Sequence, residues 1–195
     1  MGRIIAGSAR GARLAALGGG LTRPTADRVR EALFSALAAW NGSADEPVEA
    51  QCGGLAVLDV FAGSGAMGLE AASRGAGPVH LVERDRRAAG VIRRNISSTG
   101  LHARLHVRDA AAFLAGPAPV TFDVIVADPP YALPNDELTG LLQAAADGGF
   151  LAGDGMLVVE RSGRDPEPAW PDGFELSDRR GYGETALYFC RPVRR

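Results

Sequence analysis

Lysine is absent from this chain. All 21 of its basic residues are arginine, which GC-rich codon usage explains at least as readily as physics does. Cysteine is scarce. Cys52 and Cys190 stand far apart and neither shows metal-ligand spacing. That excludes a disulfide framework and a cysteine zinc site, and leaves two free thiols suited to a reducing, cytoplasmic setting. His80, His102 and His106 have no partner pattern either, so structural or solvated places are expected for them. No stretch approaches about 18 consecutive apolar residues, so no membrane span is expected. The opening Arg3-Ile4-Ile5-Ala6-Gly7 is too short an apolar core for a signal peptide and runs into further arginines. Heptads and a large apolar surface stripe are missing, so a monomer is expected. With 195 residues and 46% apolar content, there is material for one ordinary globular core and a small appendage.

The charge is unevenly placed. Arg3, Arg10, Arg13, Arg23, Arg28 and Arg30 face a single acid, Asp27, within the first thirty residues of a chain whose net charge is −2. Arg84, Arg86, Arg87, Arg93 and Arg94 form a second group. Such segregation can build a phosphate-binding face without a high overall pI, although a merely solvated face explains either group about as well. Residues 3–6 and 12–17 read as two short strands around a glycine-bounded turn. Pro24-Thr25 then opens a helix with Val29, Leu33, Ala36, Leu37 and Trp40 on its core stripe and Arg30, Glu31 and Ser35 off it. Residues 41–54 read as a linker. These features predict an N-terminal extension over residues 1–50 and a main domain over 51–195.

From Leu55 strand and helix alternate. Strands are expected at 56–61, 79–83, 103–107, 122–127 and 156–161, with helices at 66–74, 86–99, around 110–114 and at 136–148. That pattern predicts a doubly wound, mostly parallel sheet. The last two runs, 174–180 and 185–191, are separated only by Gly181-Tyr182-Gly183-Glu184, too little for a helical crossover, so they should be antiparallel.

Chemistry gathers at the strand ends. Gly63, Gly65 and Gly68 match G-x-G-x-x-G, a weak signal by itself. Asp59, buried beside that loop, would repel a pyrophosphate and suits a ligand with a cationic amino group, such as S-adenosylmethionine (SAM). Glu83 ends the second strand, where a carboxylate can accept ribose hydroxyls. Asp109 follows the third, placed either to accept an adenine amino group or to cap the next helix. Asp128 ends the fourth, in Asp128-Pro129-Pro130-Tyr131. The prolines force the backbone out of the sheet. Acid, exposed carbonyls and flat ring together suit a planar group carrying an amino function. In a parallel sheet all four acids share the ligand-binding edge.

On these residues the chain resembles the Class I SAM-dependent methyltransferases. More narrowly, Arg23-Pro24-Thr25-Ala26-Asp27-Arg28-Val29-Arg30-Glu31, Asp59-Val60-Phe61-Ala62-Gly63-Ser64-Gly65, Val82-Glu83-Arg84-Asp85, Asp128-Pro129-Pro130-Tyr131 and Tyr182-Gly183-Glu184-Thr185 resemble the RsmD family of 16S rRNA (guanine-N2)-methyltransferases. The resemblance implies a Rossmann-like α/β fold with a seven-stranded, mostly parallel sheet, a C-terminal antiparallel hairpin and a small N-terminal hairpin-and-helix extension. It implies methyl transfer from SAM, without a metal, to a guanine N2 in 16S rRNA, free or within an assembling 30S subunit. Asp128, Pro129, Pro130 and Tyr131 would be catalytic. Asp59, Phe61, Ala62, Gly63, Gly65, Glu83, Arg84, Asp109, Ala110 and Thr25 would hold the cofactor. Arg3, Arg10, Arg13, Arg23, Asp27 and Arg28 would meet the RNA, with plain helix capping the alternative for Thr25 and Asp27. The departures lie in the loops 42–53 and 163–173.

Three rivals compete. A DNA adenine-N6 methyltransferase shares Asp-Pro-Pro-Tyr but would need a target-recognition domain that 195 residues do not supply. An NAD-dependent dehydrogenase leaves Asp59 and Asp128 without work. A non-catalytic RNA-binding module predicts a degraded cofactor site.

Overall fold

The structure, a computed structural model, describes residues 2–17 and 24–193, with residues 24–26 described by backbone alone. Seven strands form the main sheet: β3 (Val57–Asp59), β4 (Val79–Glu83), β5 (Arg104–Val107), β6 (Phe122–Ala127), β7 (Leu151–Ser162), β8 (Phe174–Tyr182) and β9 (Thr185–Pro192). Their spatial order is β5-β4-β3-β6-β7-β9-β8. The first five are parallel, while β9 inserts antiparallel between β7 and β8. The expected hairpin forms, and it is tighter than the sequence suggests: Gly181 and Tyr182 belong to β8 and only Gly183-Glu184 connect it to β9. The chain builds outward from β3 in one direction and from β6 in the other. The crevice between their carboxyl ends is the place where such sheets bind ligands.

Helices α2 (Ala66–Ser73), α3 (Arg86–Thr99), α4 (Ala110–Leu114) and α5 (Asn135–Asp147) follow strands β3, β4, β5 and β6, and α1 (Pro24–Trp40) precedes the sheet. Strand alternation divides the core in two. Val57, Val126 and Val158 face Val29, Leu33 and Leu37 of α1. Leu58, Ile125 and Val159 face Phe113, Leu138 and Leu142 on the other side. The two faces are covered, so the central strands read as continuous apolar runs. Among the described residues no helix is long and apolar enough to cross a membrane.

The N-terminal extension departs from expectation in three ways. Its strands are only two residues each, β1 (Gly2–Arg3) and β2 (Arg13–Leu14). Beyond them Ile4 and Gly11–Ala12 still bond across the hairpin, but the segment from Ile5 to Ala9 is tied chiefly to α2. The Glu70 carboxylate accepts from Ile5 N–H at 2.7 Å and Ala6 N–H at 3.0 Å. The Ser73 hydroxyl donates to Ala6 O at 2.6 Å, and Ser73 O accepts from Ser8 N–H at 2.7 Å. Gly7 lies so close to α2 that a Cβ there would sit 1.9 Å from Ser73 O, so only glycine fits. Second, Arg30, expected off the core stripe, is 4% exposed. Its guanidinium meets Asp27 at 2.9 Å, Glu70 at 3.7 Å and the Arg3 carbonyl at 2.8 Å. Third, the expected linker is packed: Ser43 and Cys52 are buried, Ser43 donates to Gln51 O, and Cys52 N–H bonds Arg74 O at 2.8 Å.

His80 is buried and its ring stands 3.2 Å from that of His106. Burial pushes the His80 pKa down to about 4, so it stays neutral among the surrounding rings, while His102 is exposed.

Candidate active site

The carboxyl ends of β3, β4 and β6 enclose a crevice of about 340 Å³. Phe61, Gly63, Glu83, Arg84, Ala110 and Asp128 are among the residues lining it. All six are expected site residues, five for the cofactor and Asp128 for catalysis. Arg108 and Leu133 also line it without a sequence expectation; they flank Asp109 and the Asp-Pro-Pro-Tyr turn.

The glycine turn is built by the strand that precedes it. Val60 N–H bonds Val126 O and Ala62 N–H bonds Val82 O, so β3 is clamped between β6 and β4 until the chain turns. Gly63 and Gly65 have φ of 55° and 80°, the left-handed region that side chains resist. A Cβ at Gly63 would meet nothing, leaving that turn open to the crevice. Gly68 serves a different end: a Cβ there would fall 2.2 Å from Leu81, so this glycine lets α2 lie against β4.

Glu83 ties the turn down. Its Oε2 accepts from Gly63 N–H at 2.8 Å and its Oε1 from Asp85 N–H at 2.7 Å. Asp109 settles into the capping geometry: Oδ1 accepts from Ala111 N–H at 2.9 Å and Ala112 N–H at 3.4 Å, while Oδ2 faces the exposed Arg84 guanidinium at 3.7 Å. Ala62 and Gly65 support the turn without lining the crevice.

Asp59 lies beneath, 2% exposed. Its Oδ1 accepts from Phe61 N–H at 3.3 Å, but Oδ2 is buried with no partner. Burial first, and the nearby Asp128 second, raise its pKa to about 7. A carboxyl group left half-satisfied beside a crevice is suited to a cationic donor entering from it.

Asp128 follows β6 directly and is open to solvent, whereas Pro129 is buried and fixes the turn. Protein crowds the Asp128 carboxyl closely enough for desolvation to raise its pKa, with the Arg161 guanidinium pulling it back. Arg161 is buried and donates to Leu133 O at 3.0 Å, holding the segment after the prolines. Tyr131 is 79% exposed and lines a separate hollow with Ser162, Arg164 and Glu184. Its ring is free to meet a partner.

The arginines of the extension stand apart from this crevice. Arg3, Arg10, Arg13 and Arg28 are exposed, and Arg3 and Arg10 line a cleft of about 640 Å³ beneath the hairpin. The Asp27 carboxylate is engaged by Arg30 at 2.9 Å and Arg3 at 3.8 Å. Arg23 and the Thr25 side chain lie outside the described residues.

The model of a family described as "Conserved hypothetical protein 95" matches residues 2–191. The chain is 36% identical to the ribosomal RNA small subunit methyltransferase D of Escherichia coli over 94% of this chain and 86% of that protein. The chain belongs to the RsmD family. A second relative in Bacillus subtilis, named "Putative rRNA methyltransferase YlbH", is 32% identical over 95% of this chain and 96% of its own. Among solved structures, "Putative methyltransferase yhhF from Escherichia coli" superposes with a TM-score of 0.82 at 30% identity, covering 98% of this chain and 97% of the other. The RsmD family match thus spans both the extension and the sheet, and the Rossmann-like methyltransferase architecture expected from the motifs is the one observed.

Proposed function

We propose that this RsmD-family protein transfers a methyl group from SAM to the exocyclic N2 of a guanine in 16S rRNA, acting as a monomer on an assembling or assembled small subunit and using no metal. Membership of a family of rRNA methyltransferases supports the reaction class. The observation that carries the amino-group reading is Asp128, open to solvent at a sheet edge beside the crevice, with Pro129 fixing its backbone.

The residues fit the cofactor. The unpartnered Asp59 oxygen, the open turn at Gly63 and the crevice volume are what a ligand with an ammonium group and a sugar requires. When bound, SAM supplies an electrophilic methyl on a sulfonium. Asp59 would take the ammonium and Glu83 the ribose hydroxyls through lone pairs its backbone bonds leave free. Arg84 and Ala110 would border the adenine. Asp109, with one oxygen spent on its helix cap, would reach the adenine amino group only with Oδ2.

The exocyclic N2 is a poor nucleophile because its lone pair is delocalised into the ring. Asp128 and the Pro129 carbonyl would accept its two N–H hydrogens and turn the remaining lone pair toward the methyl. The gain is orientation and stabilisation of the positive charge that develops on nitrogen. The proton finally released passes to the Asp128 carboxylate. Tyr131 would stack on the base, which must be unstacked or looped out to reach the edge.

Two tests address this reading. Small-subunit rRNA and adenine-containing duplex DNA are each incubated with labelled SAM and the protein; label should enter the rRNA alone, and label in the DNA would favour the adenine-N6 rival. Cofactor binding should also be linked to protons. The Asp59 carboxyl, raised to about 7, must ionise to meet an ammonium, so SAM affinity should fall as pH drops below that value. Calorimetry in buffers of different ionisation enthalpy should show proton release at a pH of about 6.5 and little at about 8.5. Asp59→Asn should abolish the release; a wild-type signal from that variant would remove Asp59 from the cofactor site.

The RNA face is tested separately. Arg10→Gln with Arg13→Gln should weaken RNA binding and flatten its dependence on log salt by about 1 to 2. Unchanged affinity and slope would remove these arginines from the RNA face.

A further inference from the structure

A fifth acid, Glu160, stands near the carboxyl end of β7, two residues before Ser162. β6 and β7 pair in parallel with Ala127 opposite Val159, which brings Glu160 beside Asp128 one strand spacing away. Alternation fixes the face. Val57, Val126 and Val158 belong to one side of the sheet, and Asp59, Asp128 and Glu160 each follow two positions later, on that same side. The sequence across the edge is therefore Asp59, Asp128, Glu160. The crevice with Phe61, Gly63 and Glu83 lies on the Asp59 flank. Glu160 lies on the opposite flank, from which a base must approach if the methyl is to pass across Asp128.

Glu160 has no structural duty that explains it. Among the described residues its carboxyl group forms no ion pair, whereas Arg161 next to it is buried on the other face and engaged with Leu133 O and Asp165. Its position is half-buried, directly after five wholly buried residues of β7.

We infer that Glu160 reads the base: its carboxyl group pairs with the N1–H and O6 of the target guanine while Asp128 holds N2. The inference rests on the guanine-N2 reading above and adds the residue that selects guanine. The Watson–Crick edge of guanine runs N2, N1, O6, over about one strand spacing of ~4.8 Å, so a base with N2 on Asp128 presents N1–H and O6 toward β7. A neutral carboxylic acid matches that pair, its carbonyl oxygen accepting from N1–H and its O–H donating to O6. Glu160 is suited to hold that proton: burial, and then the Asp128 charge facing it, push its pKa up, while the Arg161 guanidinium favours ionised Asp128. Adenine has no amino group at position 2. Bringing its N6 to Asp128 instead leaves Glu160 without the N1–H and O6 pair, so one strand edge would serve both catalysis and choice of base.

The test compares two RNA substrates, identical except that the target guanine is replaced by 2-aminopurine, which keeps the amino group and lacks N1–H and O6. The ratio of kcat/KM on guanine to that on 2-aminopurine is independent of the fraction of folded enzyme, so a partly unfolded variant still reports. Wild type should prefer guanine by roughly 10- to 100-fold, the discrimination expected of one two-bond contact. Glu160→Ala should bring the ratio near unity, and Glu160→Gln, whose amide offers the same acceptor and donor, should restore most of it. SAM affinity should be unchanged in both. A Glu160→Ala ratio equal to wild type overturns the inference alone. Wild-type enzyme that forms no N2-methylguanosine overturns the guanine-N2 reading and the inference with it.

Discussion

Asp128→Ala should reduce methyl transfer by about 10²–10³-fold or more, the loss typical of removing a group that stabilises developing charge. SAM affinity should stay within a few-fold of wild type. The asymmetry follows from placement. Asp128 lies at the rim of the crevice, whereas the turn at Gly63 is held by Glu83 and the cationic donor is left to Asp59. Truncation should remove an acceptor for the amino group without dismantling the cofactor's walls. Single-turnover transfer and equilibrium SAM binding, measured on the same preparation, separate these effects. Equal loss of binding and turnover would place Asp128 in the cofactor site instead of the transfer step.

The second large effect concerns stability. Glu70 is fully buried between Arg30 and Arg74, bonding Arg74 Nε at 3.0 Å, and it accepts the Ile5 and Ala6 amides. Its removal leaves two guanidiniums and two backbone N–H groups short of a partner. A broken buried pair of this kind costs about 3–5 kcal/mol, so Glu70→Ala should lower the urea midpoint strongly. Hydrogen exchange at Ile5 and Ala6 should accelerate more than in β6, because the hairpin loses its anchor on α2. A shift under about 1 kcal/mol, within the range of a solvent-exposed pair, would contradict the view that Glu70 fastens the extension to the sheet.

The anchor has a bearing on function. Asn95, 1% exposed, bonds Ala15 through both N–H and O and also donates to Ser64 O at 2.9 Å. The arginine-bearing extension and the glycine turn thus share a buried amide, so the extension and the crevice are held in a fixed relation.

Local patterns carried most of the fold. The alternation of apolar strand, acid and turn is a nearest-neighbour signal, and the short gap between the last two apolar runs dictates an antiparallel pair by length alone. The same signal marked Asp59, Glu83, Asp109 and Asp128. It was equally present in Val158-Val159-Glu160, where an acid also follows the apolar run of a strand. What was not legible depends on distant partners. Arg30 reads as a solvent residue on its own helix, and its burial needs partners beyond it, the Arg3 carbonyl and Glu70 forty positions away, besides Asp27 one turn before it. The polar composition of 41–54 concealed that Ser43 and Cys52 would bond into the body of the protein. At Asp109 the two uses left open are not exclusive: the cap takes one oxygen and leaves the other facing Arg84.

The measurement that bears most directly on the whole account is mass mapping of modified nucleosides in small-subunit rRNA after incubation with SAM and this protein. One new N2-methylguanosine should appear at a single position, absent when Asp128→Ala replaces the wild type. A methyl group on adenine N6, on ribose or on a ring carbon, or an rRNA left unmodified whether free or within the subunit, would contradict it.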